Sequence, residues 1–118
     1  MADYYTQTSF LLPLGESQVQ PAIEIIKRHE NELAKNNDTL CFDYERDGDA
    51  VWFHGDYIDV DKLVDVVQSI LDELDIDDEI RFSWSYSCSK HRLDSFGGGA
   101  CKLNAGVEPV IIDALSSL

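Results

Sequence analysis

Polar and apolar residues alternate along much of this chain, and the period of the alternation changes at recognisable stops. Thr6, Thr8, Phe10 and Leu12 share one phase, with Gln7 and Ser9 between them, until Pro13 ends the run; this is the period-two pattern of a half-buried strand. Val19, Ile23, Ile26 and Leu33 then recur at helical spacing, with Ser17-Gln18-Val19-Gln20 readable as a capping box and Asn36-Asn37 as a left-handed stop. Leu40, Phe42 and Tyr44 alternate with Cys41, Asp43 and Glu45, Asp47-Gly48 marks a tight hairpin, and Val51 and Phe53 continue on the return strand. Asp59 caps a second predicted helix, in which Val60, Leu63, Val64, Val67, Ile70, Leu71 and Leu74 form one apolar face. Ile80, Phe82, Trp84, Tyr86 and Cys88 next alternate with Arg81, Ser83, Ser85, Ser87 and Ser89, so one face of this strand is aromatic and the other nearly all serine. Beyond a loop from His91 to Gly98, Ala100 to Leu103 and Val107 to Ile112 predict a short hairpin across Asn104-Ala105-Gly106, with a last helical turn from Asp113.

The order β-α-β-β-α-β plus a terminal hairpin predicts an α+β fold: a ferredoxin-like antiparallel sheet with a C-terminal β extension and both helices on one face. The serine row fits the uncovered face, because small hydroxyls stay wet where a second layer would demand hydrocarbon. The length of 118 residues fits a single domain, 1–118.

Composition changes this picture mainly through charge. Apolar residues make up 44% and charged residues 27%, enough hydrocarbon for a core and too much for wholesale disorder. Against 9 Lys+Arg stand 23 Asp+Glu, a net charge of −14, which repels polyanions and argues against direct binding of nucleic acid. No apolar run reaches the roughly 18 residues of a membrane span, and the N-terminus lacks a basic, apolar leader; the expectation is a cytoplasmic protein with no membrane contact. Three cysteines cannot build a disulfide framework and are expected as reduced thiols.

The charge is unevenly spread. Residues 43–79 hold 14 acids and 2 bases, whereas residues 80–102 hold 4 bases and 1 acid. On the second helix Asp61, Asp65, Asp72 and Asp75 fall on one side, opposite the apolar stripe, and Asp77, Asp78 and Glu79 continue the run. Like charges one turn apart cost about 0.2–0.5 kcal/mol per pair, a local penalty that a basic partner would offset. At ~1.5 Å rise per residue the four helical acids give one charge per ~5 Å, sparser than the ~3.4 Å along one DNA strand. A duplex-like array therefore needs Asp43, Glu45, Asp47 and Asp49 beside the helix. The simpler alternative is a solvated face that keeps the protein dispersed.

Candidate chemistry concentrates between Cys88 and Cys101. Lys90, His91 and Arg92 beside Gly97, Gly98 and Gly99 suggest an anion-binding nest of backbone N–H groups; neither phosphate-loop spacing is present, and a closely packed strand start that only glycine tolerates explains the glycines equally. Cys88, His91 and Cys101, with Cys41 or His54 as fourth donor, have the atom types of a zinc site without its paired short spacings, so buried thiols are the simpler reading and no metal or cofactor is expected. Cys88, His91 and Asp94 contain the residue types of a catalytic triad, yet any chain with three cysteines and three histidines offers such a set. Lys90, Arg92 and Asp94 can instead lock the loop as ion pairs, with Leu93 and Phe96 tucked inward. His29 and His54 read as structural, and Trp52 and Trp84 as core or sheet-face packing.

Tyr5-Thr6-Gln7-Thr8-Ser9-Phe10 and the stretch from Phe82 to Ala100, FSWSYSCSKHRLDSFGGGA, resemble blocks in small acidic uncharacterised proteins of phages, plasmids and other bacterial mobile elements. The resemblance implies provenance, and by analogy a host protein as partner, defence machinery included.

Together these features favour a non-enzymatic acidic interaction protein that binds a basic surface of a host protein, such as a nucleic-acid-binding groove, as a DNA mimic or defence inhibitor. The rival is a small-ligand or anion-binding domain built on the Lys90–Arg92 and Gly97–Gly99 segment.

Overall fold

The computed structural model describes residues 4–88 and 97–113. It is an α+β fold with six strands and two helices: β1 (Tyr4–Pro13), α1 (Glu16–Ala34), β2 (Asp43–Asp47), β3 (Ala50–Gly55), α2 (Val60–Glu73), β4 (Ile80–Cys88), β5 (Gly97–Asn104) and β6 (Val107–Asp113). The strands form one sheet in the order β2-β3-β1-β4-β5-β6, and every neighbouring pair is antiparallel.

Alternation within the strands sets the two faces. Leu12, Val51, Phe53, Phe82, Trp84, Cys101 and Leu103 are buried in one cluster with Val19 and Ile26 of α1 and Leu63, Val67 and Ile70 of α2. Both helices therefore cover the same face. Residues in the opposite phase, including Ser9, Trp52, Ser83 and Ser85, are exposed on the other. The helices are joined to each other by Arg28 forked onto Glu73 and by a 3.0 Å contact between His29 and Ser69.

Helix boundaries follow local chemistry with one departure. Asp59 caps α2 by accepting the Lys62 N–H at 3.3 Å. Asn37 takes the left-handed conformation (φ 58°) expected of a helix stop, and the N–H groups of Asn37 and Asp38 close back on Ala34 and Leu33. The capping box at Ser17 is not used: α1 starts at Glu16 behind Gly15, with no side-chain cap bond.

Three strand expectations are corrected. Leu40–Phe42 is not part of β2, because Cys41 has φ 58° and breaks the extended run. The first hairpin turns through Gly48-Asp49, between Asp47 paired with Ala50, one residue beyond the Asp47-Gly48 expectation; Gly48 leads the turn with φ 60°, where glycine is favoured. The third concerns the glycines. Gly97, Gly98 and Gly99 are not loop: they are the first residues of β5, paired with Tyr86, Ser85 and Trp84. A Cβ on Gly98 would sit 2.7 Å from the Trp84 carbonyl oxygen, so close strand packing accounts for glycine there. The second hairpin closes around Ala105-Gly106, as its sequence predicts. The terminal turn expected from Asp113 lies outside the described residues.

Candidate functional site

The sheet has a seam. β1 pairs with β4 through Tyr4–Gln7 and with β3 through Thr8–Pro13, so near Thr8 the strand passes from one partner to the other. The buried Thr8 hydroxyl donates to the Ser83 carbonyl at 2.7 Å, supplying a carbonyl of β4 with a partner beyond the last paired residues. On the core side Phe10 and Phe82 stack across the gap at 4.2 Å. On the exposed side the seam is a cleft of about 570 Å³.

Side chains from four segments meet in that cleft. From β3, Trp52 and His54 stack with ring centroids 4.0 Å apart, and the Trp52 indole N–H donates to Ser9 at 2.8 Å. His54 Nε2 lies 3.2 Å from Glu45 on β2, and Asp43 stands opposite His54 in the ladder. From β1, Gln7 donates to Asp56 at 3.0 Å. Ser83 and Ser85 of β4 complete the wall. Trp52 remains 37% exposed, although its N–H is satisfied and one ring face is covered by His54. The sheet-face packing expected of Trp52 is present, with His54 stacked against it; the cleft that the two residues line was not expected. Period two alone puts both on the face of the serine row, and the hairpin register puts carboxylates beside them.

The acidic ridge is divided by the fold. Asp61 and Asp65 are exposed on the outer side of α2 and enter no ion pair or side-chain hydrogen bond among the described residues. Asp72 is a structural clamp: it accepts from the Gly106 N–H at 2.6 Å and from Gln68 at 2.9 Å, holding the end of α2 to the β5–β6 turn. Asp75 follows the helix in the left-handed conformation (φ 51°), and Asp77 and Asp78 are exposed. Glu79 is drawn away to Arg81 at 2.6 Å and Lys102 at 3.7 Å; the Arg81 hydrogen bond holds its carboxyl below the usual range. Asp43 and Glu45, in phase with the open-face ladder around Trp52 and His54, lie across the sheet from α2. Asp43 and Glu45 are therefore not beside the acids of α2.

The remaining candidates separate as well. Lys90, His91, Arg92 and Asp94 lie outside the described residues, as does the side chain of Cys88. Cys101 is buried on the helix-covered face, where burial pushes its thiol up to about 11, whereas His54 is on the open face, so these two cannot share one ion. Cys41 is exposed, its sulfur 3.7 Å from the Lys62 ammonium. Lys62 also donates to Asp38 at 2.7 Å, a bond that raises the lysine pKa and lowers that of the carboxyl. Among the described residues no cluster of three or more His, Cys, Asp or Glu side chains could hold a metal, and no helix is long and apolar enough to cross a membrane. No family model, curated protein or solved structure matches the chain.

Proposed function

We propose that this is a non-enzymatic acidic interaction protein that binds a basic surface of another protein. One observation carries the reading: 14 acids against 2 bases within residues 43–79, with Asp43, Glu45, Asp61 and Asp65 all exposed. Clustered surface carboxylates cost self-repulsion that a cationic partner relieves, and they accelerate encounter with it. The resemblance to mobile-element proteins supports a host protein as the partner, a nucleic-acid-binding one by virtue of its positive charge. With helix and hairpin acids on opposite faces, electrostatic attraction is a better description of the reading than imitation of a duplex. We also read β2-β3-β1-β4 as a ferredoxin-like unit extended by β5 and β6; the position of β1 between β3 and β4 supports this.

Capture from lysate by the immobilised full chain, at low and at high salt, tests the proposal. The expected result is basic proteins retained at low salt and released as salt screens the surface. Salt-insensitive capture, or capture of nucleic acid without protein, overturns it.

A further inference from the structure

The geometry points to the seam cleft as a docking site for an arginine side chain presented by a basic protein. This inference rests on the reading above and assigns the contact to the open sheet face instead of α2. Its chemistry is specific. Two exposed carboxylates, Asp43 and Asp56, stand on the wall of a cleft that also contains a stacked indole and imidazole and the hydroxyls of Ser83 and Ser85. Among the described residues no lysine or arginine lines the cleft, and Arg81 and Lys102, which strand register places on this face, are both engaged by Glu79. Among the described residues the site thus offers two carboxylates that no lysine or arginine of the cleft neutralises.

A guanidinium suits these walls better than an ammonium. It is planar and weakly hydrated, stacks on aromatic faces, and spreads its donors in a fork that can reach two acceptors at once. Trp52 is suited to receive it because its N–H is already bound to Ser9, which fixes the ring as a shelf before any ligand arrives and removes an ordering cost from binding. Carboxylates with a π surface also disfavour phosphate, in keeping with the net charge of −14.

The test titrates the full chain with an oligoarginine peptide and, in parallel, with its oligolysine and citrulline counterparts, using calorimetry for affinity and amide and indole NMR for location. The expected result is shifted Trp52 indole and Ser83 and Ser85 amide signals with oligoarginine, weaker binding of oligolysine by about threefold or more, and no response to citrulline, which keeps the shape and lacks the charge. Asp43→Asn with Asp56→Asn should weaken oligoarginine about tenfold and Trp52→Ala about two- to fivefold, whereas Asp61→Asn with Asp65→Asn should change it less than twofold. Equal affinity for oligolysine, or equal losses from the α2 and cleft variants with Trp52 unshifted, overturns the cleft assignment and leaves a diffuse acidic surface intact. Absence of binding by either cationic peptide at low salt overturns both readings. The mapping on the unaltered protein keeps the result independent of how any variant folds.

Discussion

Trp52 and Phe53 are consecutive residues of β3, and the sheet sends them into different solvents. Phe53 is fully buried under both helices, stacked on Phe10 at 5.2 Å. Trp52 stands on the open face, 37% exposed, against His54 and Ser9. The helix-covered face is nearly all hydrocarbon, with Thr8 the one buried polar side chain of the described strands, and its contacts hold the fold together. Around Trp52 the open face combines hydroxyls, an imidazole, carboxylates and the exposed Leu11, a mixture that contributes little to a core. Stability thus belongs to one side of the sheet, and the binding proposed above to the other.

Substitution at the adjacent pair is the most direct way to break this contrast. Phe53→Ala should cost about 3–5 kcal/mol, read by urea denaturation, because a large cavity opens in a packed core. Trp52→Ala should cost about 1 kcal/mol, the loss of one hydrogen bond and a stacking contact in partial exposure. Equal losses would mean that the open face is covered, by a second copy or by another part of the chain.

Alkaline pH sharpens the contrast on the buried side. The native Cys101 thiol keeps its proton to about 11 instead of the ordinary 9.0, so its contribution is complete below about pH 9 and is lost as pH rises through that window, by at most about 2–3 kcal/mol. Burial raises Tyr44 as well, in the same direction. Cys101→Ala should therefore flatten the decline of stability between pH 9 and 11 without abolishing it; an unchanged slope would show the thiol to be solvated.

The smallest effects separate two aspartates of α2. Asp72→Asn should lose about 1 kcal/mol, since the charge-assisted bond to the Gly106 N–H is weakened. Asp65→Asn should be neutral or stabilising by about 0.2–0.5 kcal/mol as repulsion with Asp61 one turn away is relieved. Thermal melts at low salt distinguish them, and identical midpoints would dissolve the distinction between clamp and free charge.

The candidate site was less legible than the elements around it. Parity in β3 already separates Trp52 and His54 from Val51 and Phe53, and the serine row of β4 already announces a wet face. The approach of Glu45 to His54 at 3.2 Å depends on the turn at Gly48-Asp49, and a one-residue displacement of that turn changes which carboxylate stands opposite which aromatic. The seam required still more: β1 leaves β4 after Gln7 and pairs with β3 from Thr8, strands separated from it by long stretches of chain. Asp72 looked equivalent to Asp61 and Asp65 on a helical projection, and only the return of the β5–β6 turn to the end of α2 makes it a clamp.

What the sequence by itself determined is the set of local decisions: strand phase, the α2 cap at Asp59, the left-handed stop at Asn37, the hairpin at Gly106 and the concentration of acids between residues 43 and 79. These depend on neighbours a few positions apart, so period and propensity encode them directly. Only the tertiary structure decided which strands became neighbours, where β1 exchanged partners and which acids were consumed by Arg28, Arg81 and the Gly106 N–H. Those outcomes join residues dozens of positions apart through cooperative burial, and no local pattern carries that register.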